Sequence, residues 1–361
     1  MYYGSGGTHG GDIYGFSEGD GRRAVLDFSV NLNPLGVPAG VTEAMRDAAL
    51  KAGQYPDPHC RDLLRALSEF EEVPSSRILC GNGAAELIYA FCHALHPASA
   101  AVMALTFSEY EAAFFGSGGA SANLYRYDLR EENGFLPGRN LLDFLESLRP
   151  EVLFLCNPNN PTGRLMPTEL LLETAAFCER HNIRLFLDEC FLDFTDGGIS
   201  LKPYLEKYRG LLILKAFTKN FGIAGARLGY CLSADTELLG KIAAAVQPWN
   251  ISVFAQAAGI AAAKERDYLA RARELIRKER AFLCTGLEAA GFKVMPSDAN
   301  FLLFKGPADL DAQLRRRGIL IRSCSRERGL GSGWYRAAVR LHDENAELLE
   351  AVSESRQSHF P

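Results

Sequence analysis

The chain has 361 residues, of which 47% are hydrophobic, with 39 Lys and Arg against 44 Asp and Glu for a formal net charge of -5. That length and apolar content suit one large domain with a substantial core and a smaller domain beside it. The acidic balance and the lack of any long basic segment argue against a binder of nucleic acid, and no run is long and apolar enough to span a bilayer as a helix.

In chain order, the first informative pattern is Ile78-Leu79-Cys80-Gly81-Asn82-Gly83-Ala84-Ala85-Glu86, a short strand, a glycine turn and the start of a helix. Glycines let backbone N–H groups face an anion, and a helix start favours negative charge. The third glycine and the downstream spacing of a dinucleotide fingerprint are missing. Strand-like runs follow at 100–105 and 152–156. The second breaks into Asn157-Pro158-Asn159-Asn160-Pro161-Thr162-Gly163, where prolines fix the turn and asparagines supply amide hydrogen bonds at a sheet edge. As plain local structure this is a stiff loop; functionally, Asn160 is placed to donate to a ligand oxygen.

A helix is predicted over 168–181 and a strand over 183–188, which ends on Asp188 at the rim of a sheet. The next strand, 211–215, leads into Thr218-Lys219, a small-residue turn and Arg227. A lysine after an apolar run is ordinarily a solvated strand end. Here a hydroxyl stands beside it and an arginine follows eight residues on, a combination that grips a phosphate, while a lysine at the end of a buried strand can form a Schiff base with an aldehyde. Asp188 supplies the anion that keeps a pyridine nitrogen protonated. Pyridoxal 5'-phosphate (PLP) carries all three groups.

The alternation of strands and helices predicts an α/β protein with a mostly parallel sheet and ligands beyond the strand ends. From 268 a charged helix runs through Arg271, Arg277 and Arg280 into a smaller α+β domain, and Arg315, Arg316 and Arg317 read as a solvated helix end. The expected division is 1–45 for an N-terminal arm and part of the small domain, 46–265 for the large domain and 266–361 for the C-terminal small domain. Nine scattered cysteines without a Cys-x-x-Cys pair fit reduced thiols in a cytoplasmic protein, and no metal site is assigned. The N-terminus is Tyr, Gly and Ser rather than basic then apolar, so no signal segment is expected.

The ordered set Gly81-Asn82-Gly83-Ala84-Ala85-Glu86, Asn159-Asn160-Pro161-Thr162-Gly163, Asp188-Glu189, Thr218-Lys219 and Gly225-Ala226-Arg227-Leu228-Gly229 resembles the fold-type I PLP enzymes of the class I/II aminotransferase superfamily, over nearly the whole chain. The resemblance implies a PLP-dependent transferase-like fold, a mostly parallel seven-stranded sheet with helices on both faces and a smaller α+β domain. It implies that Lys219 carries the cofactor, Asp188 pairs with the ring nitrogen and Asn160 bonds the phenolic oxygen. Thr218, Arg227, Ala84 and Ala85 would hold the phosphate, Phe107 would stack on the ring, and Tyr55 would reach the phosphate in a neighbouring subunit of a homodimer.

Within the superfamily, His9-Gly10-Gly11 and the following Asn31-Leu32-Asn33-Pro34 are similar to the threonine-phosphate decarboxylases of cobalamin synthesis, which implies substrate contacts for His9, Gly10 and Asn31. Phe191 stands three residues after Asp188, where histidinol-phosphate aminotransferases have Tyr. Arg322 and Arg336 are placed in the substrate site by the same resemblance, and two guanidinium forks suit a substrate with two anionic ends, such as a phosphorylated amino acid; Arg340 is expected to be structural. The implied activity is decarboxylation of O-phospho-L-threonine, with histidinol-phosphate-type transamination and phosphoserine decarboxylation as the alternatives. Two departures from the pattern are Ala216, where the family often has a hydroxyl, and Leu105, where it often has proline.

Overall fold

The computed structural model describes residues 10–17, 25–118 and 122–357. His9 lies outside them. The central sheet has seven strands: β1 (Ile78–Asn82), β2 (Ser99–Ala104), β3 (Asn123–Asp128), β4 (Val152–Cys156), β5 (Arg184–Asp188), β6 (Leu211–Ala216) and β7 (Leu228–Ser233). Their order is β1-β7-β6-β5-β4-β2-β3, and β7 alone runs antiparallel to its neighbours.

Alternate residues of a strand face opposite sides of a sheet. Leu153, Leu155, Leu185, Leu187 and Ile213 enter one apolar cluster, while Phe154, Phe186, Leu212 and Leu214 enter the other. Both faces are therefore buried under helices, which is why these strands read as unbroken apolar runs. The parallel strands all end at one edge of the sheet, bringing Asn82, Ala104, Cys156, Asp188 and Ala216 to a common rim.

Local geometry moves several predicted ends. The strand expected over 100–105 stops at Ala104 because Leu105 has φ 87°, a value that a proline ring could not take. The helix expected to 181 ends at Arg180, since Asn182 turns left-handed at φ 56°. The charged helix begins at Arg266 and continues to Ala289.

The C-terminal part carries a second sheet of β8 (Lys293–Val294), β9 (Phe301–Lys305), β10 (Arg322–Ser323) and β11 (Trp334–Ala338), antiparallel in the order β10-β11-β9-β8. The N-terminal segment joins this part: Leu26–Asp27 pairs in parallel with Ile319–Leu320, and Phe28 enters the core of Leu283, Phe304 and Leu348. Arg340 ties the two together by donating to Glu344 and to the Asp27 carbonyl, a structural role. The helix Ala39–Ala49 runs across the expected division at 45 and packs on the helix Val253–Ala262. Among the described residues no helix is long and apolar enough to cross a membrane, and all nine cysteines are unpaired.

Candidate active site

The common strand rim forms the floor of a cavity of about 330 Å³, and residues from β10 and β11 close its far side. Lys219 sits on the short helical turn Phe217–Asn220 that directly follows β6. Two hydrogen bonds from Asn33 hold that turn: its backbone N–H donates to the Lys219 carbonyl at 3.1 Å, and its side-chain Nδ2 donates to the Asn220 carbonyl at 2.7 Å. The Lys219 ammonium lies 5.9 Å from the centre of the Phe191 ring. Burial, reinforced by the positive charge of Arg336, lowers its pKa from 10.5 to about 8. An ammonium taken out of water without a full counter-charge becomes an amine more readily.

Asp188 ends β5, buried at the cavity. Its carboxylate accepts the Tyr110 hydroxyl at 2.6 Å and the Cys190 N–H at 2.8 Å. Burial raises its pKa above the ordinary value, opposed by hydrogen bonds from Cys190 and Tyr110. Two hydrogen bonds leave acceptor capacity on a carboxylate, which has about four lone-pair sites. A cationic N–H offered from the cavity would fill that capacity and favour the ionised form.

The third corner is the start of the helix Ala84–Leu95. No side chain caps it, and Glu86 instead accepts the Asn82 N–H at 2.6 Å and Asn250 Nδ2 at 2.6 Å. Gly229 faces Gly81 across β1 and β7, and a Cβ on Gly229 would lie 2.4 Å from Ala84 N. A Cβ on Gly83, at φ 77°, would lie 2.4 Å from Arg227 Nη2. The missing side chains thus let a guanidinium lie over the open amide end of a helix, an arrangement suited to a phosphate. Phosphate cradle, buried carboxylate and low-pKa amine are the three partners that the phosphate, ring nitrogen and aldehyde of PLP require, so the residues fit that group.

The opposite wall is built for anions. Arg322 and Arg336 stand directly across from each other on β10 and β11. Arg336 is 9% exposed and donates to Asn160 Oδ1 at 2.5 Å and to the Ser29 carbonyl at 2.6 Å. Its Nε and the buried Asn31 Oδ1 have no hydrogen-bond partner among the described residues. Burial disfavours the Arg336 charge and lowers its pKa. Unpaired polar atoms in residues that line a cavity call for a partner from a ligand or from water.

Of the expected site residues, Gly10, Asn31, Ala84, Ala85, Phe107, Asn160, Asp188, Thr218, Lys219, Arg227, Arg322 and Arg336 all line this one cavity. Tyr55 does not: it is 79% exposed and lies against Trp249, ring centroids 4.7 Å apart with the planes tilted by 31°. Residues that sequence reading missed include Tyr110 and Asn159. Asn159 accepts the Thr106 hydroxyl at 2.7 Å and donates to the Leu105 carbonyl at 2.9 Å, which holds the strained turn before Phe107. Tyr110 follows Phe107 at helical spacing, but nothing linear ties it to Asp188, 78 residues away.

A family model, "Aminotransferase class I and II", matches residues 23–352, and the chain belongs to that family. It is 36% identical over 354 residues to the threonine-phosphate decarboxylase of Salmonella typhimurium, covering 96% of this chain and 95% of that one. It is 34% identical over 331 residues to a histidinol-phosphate aminotransferase of Desulfitobacterium hafniense, covering 90% of each. Its fold is similar to that of the histidinol-phosphate aminotransferase of Sinorhizobium meliloti in complex with pyridoxal-5'-phosphate, with TM-score 0.81 at 23% identity over 96% of this chain and 95% of that one.

Two measurements check this geometry. In the cofactor-free protein, a pKa of about 8 leaves about a quarter of Lys219 uncharged at pH 7.5, against about 0.1% for an ordinary lysine. Its acylation by an amine reagent, followed by mass spectrometry of the peptide, should therefore rise with a midpoint near pH 8; a midpoint above 10 contradicts the desolvated site. Gly83→Ala should weaken cofactor binding at least about tenfold, because the new methyl occupies Arg227's place. Equilibrium dialysis of PLP is the readout, and unchanged affinity removes Arg227 from the cradle.

Proposed function

We propose that this protein is a PLP-dependent lyase that decarboxylates O-phospho-L-threonine to (R)-1-amino-2-propanol O-phosphate and CO2, supplying the nucleotide loop of cobalamin. The observation that carries the reading is the pair Arg322 and Arg336, in register across from a floor made of Lys219 and Asp188. A cofactor site facing two arginine forks suits an amino acid with two anionic ends. The near full-length similarity to a threonine-phosphate decarboxylase points the same way.

In this reading Lys219 would hold the cofactor covalently and Asp188 would pair with its ring nitrogen. Ala84, Ala85, Thr218 and Arg227 would hold its phosphate, with Phe107 serving the ring and Asn160 the phenolic oxygen. Bound there, PLP supplies a carbonyl that condenses with an amino group and a ring that withdraws electrons from the bonds of the substrate Cα.

The chain's own residues decide which of those bonds breaks. Arg336 and Arg322 grip the carboxylate and the phosphate, with Gly10, Asn31 and His9 completing the contacts. That grip orients the substrate so that the bond from Cα to the carboxylate is the one presented to the cofactor. CO2 departs and a proton takes its place on Cα. Lys219 lines the same cavity, and its amine, once free of the cofactor, would be the group to deliver that proton. Phe191 lines the cavity with no hydroxyl to offer.

Around the site, residues 46–265 would form the cofactor domain and 266–361, with the N-terminal arm, the small domain. The exposed aromatic pair Tyr55 and Trp249, with Leu50 and Phe254 also exposed, supports a homodimer in which Tyr55 meets the partner's cofactor site. A cytoplasmic location accords with nine unpaired cysteines.

The deciding assay incubates PLP-loaded protein with O-phosphothreonine and measures CO2 without any keto acid. Release of CO2 is expected, abolished by Lys219→Ala. Conversion of histidinol phosphate that depends on 2-oxoglutarate, with no CO2 from phosphothreonine, moves the activity to transamination. Arg336→Ala should lower kcat/KM for phosphothreonine by about 100-fold or more, the cost of losing a buried charged partner of the substrate, with a much smaller effect on the PLP-loaded fraction. Normal kinetics would remove Arg336 from the substrate site.

A further inference from the structure

Glu327 lines the same cavity as the two arginines, and neither holding the cofactor nor the reaction as described calls on it. It lies in the turn after β10. The base of that turn is fixed by the Cys324 N–H on the Trp334 carbonyl at 2.8 Å and by the Glu327 N–H on the Cys324 carbonyl at 3.1 Å. Glu327 Oε1 is 3.8 Å from Arg322 Nη2, with the two side chains 24% and 15% exposed. That separation neutralises charge but is too long for a hydrogen bond.

The two arginines are not equivalent. Arg336 spends its donors on uncharged oxygens, those of Asn160 and Ser29. Arg322, directly opposite in register, has a carboxylate of this chain beside it. Two guanidinium groups at one site repel each other, and a nearby anion offsets that repulsion until a ligand arrives.

We propose that Glu327 is a resident counter-ion on Arg322, which any ligand anion bound there must displace. The inference rests on the reading of Arg322 as a substrate arginine. A displacement cost of this kind falls on every ligand that uses Arg322, whether substrate, product or inorganic phosphate. It weakens ground-state binding and bond-breaking transition state alike, so it does not slow the chemical step once substrate is bound. It does shorten the stay of a product that has lost its carboxylate but keeps its phosphate. Glu327 is thereby an affinity-setting residue of the anion pocket rather than a catalytic one.

The test is a double-mutant cycle on the PLP-loaded protein, with inorganic phosphate as the probe and isothermal titration as the readout. Glu327→Gln should bind phosphate about tenfold more tightly than the parent, the equivalent of about 1.4 kcal/mol. Glu327→Asp, which keeps the charge, should stay within about threefold of the parent on the same scale. In an Arg322→Ala background the Glu327→Gln change should have no effect. Equal or weaker phosphate binding in Glu327→Gln, or a gain that persists without Arg322, overturns the proposal. Phosphate affinity does not depend on turnover, so a protein that shows this cycle yet releases no CO2 loses only the decarboxylase reading. One that releases CO2 without the cycle loses only the counter-ion.

Discussion

Two lysines four residues apart are driven in opposite directions by their surroundings, and the site depends on that contrast. Burial disfavours the charge on both. At Lys215 it is outweighed by Asp193, Glu71 and Glu189, which push the pKa above its ordinary value. At Lys219 the nearby charges include Arg336 and Arg227, so desolvation prevails and the amine is ready to lose its proton near neutral pH. A lysine that readily gives up its proton and a lysine that stays an ion are thus made from one side chain by gathering carboxylates around one and arginines near the other.

The charged lysine does structural work for the reactive one. Lys215 lies 3.5 Å from both Glu189 and Asp193, and Asp193 accepts Asn220 Nδ2 at 2.5 Å. Asn220 adjoins Lys219, and Glu189 adjoins Asp188. The buried cluster therefore ties the end of β5, which carries the carboxylate of the site, to the turn after β6, which carries its amine. Breaking such a cluster at one member would leave uncompensated charge in the core, so its members act together rather than singly. Precision at the cofactor site comes from this layer beneath it as much as from the residues that line it.

Across the cavity the constraint is reversed. Arginines are gathered with few carboxylates near them, leaving Arg336 Nε and Asn31 Oδ1 without partners among the described residues. Burial of unpaired polar atoms costs stability, and a ligand that supplied the missing partners would repay that cost. Asn160 joins the two halves: it belongs to the loop after β4 yet receives a hydrogen bond from Arg336 on β11. Asn160 is thus one direct link between the loop after β4 and the arginine wall.

The apolar strands, the glycine turn before Ala84 and the chemistry-bearing side chains at strand ends can be read directly along the chain, because a sheet buried on both faces writes continuous apolar runs and breaks them at the strand ends, where ligands of such sheets bind. Lys219, Asp188 and Arg227 were legible for that reason, each standing next to such a break. Tyr110 on Asp188, Ser29 under Arg336 and Glu327 beside Arg322 left no comparable mark, since each depends on a residue whose position along the chain bears no periodic relation to its own. The pKa of Lys219 and the pairing of Arg322 with Arg336 were likewise decided only by the tertiary structure: desolvation and Coulomb interaction follow distance in space, and the fold sets that distance through strand order and register.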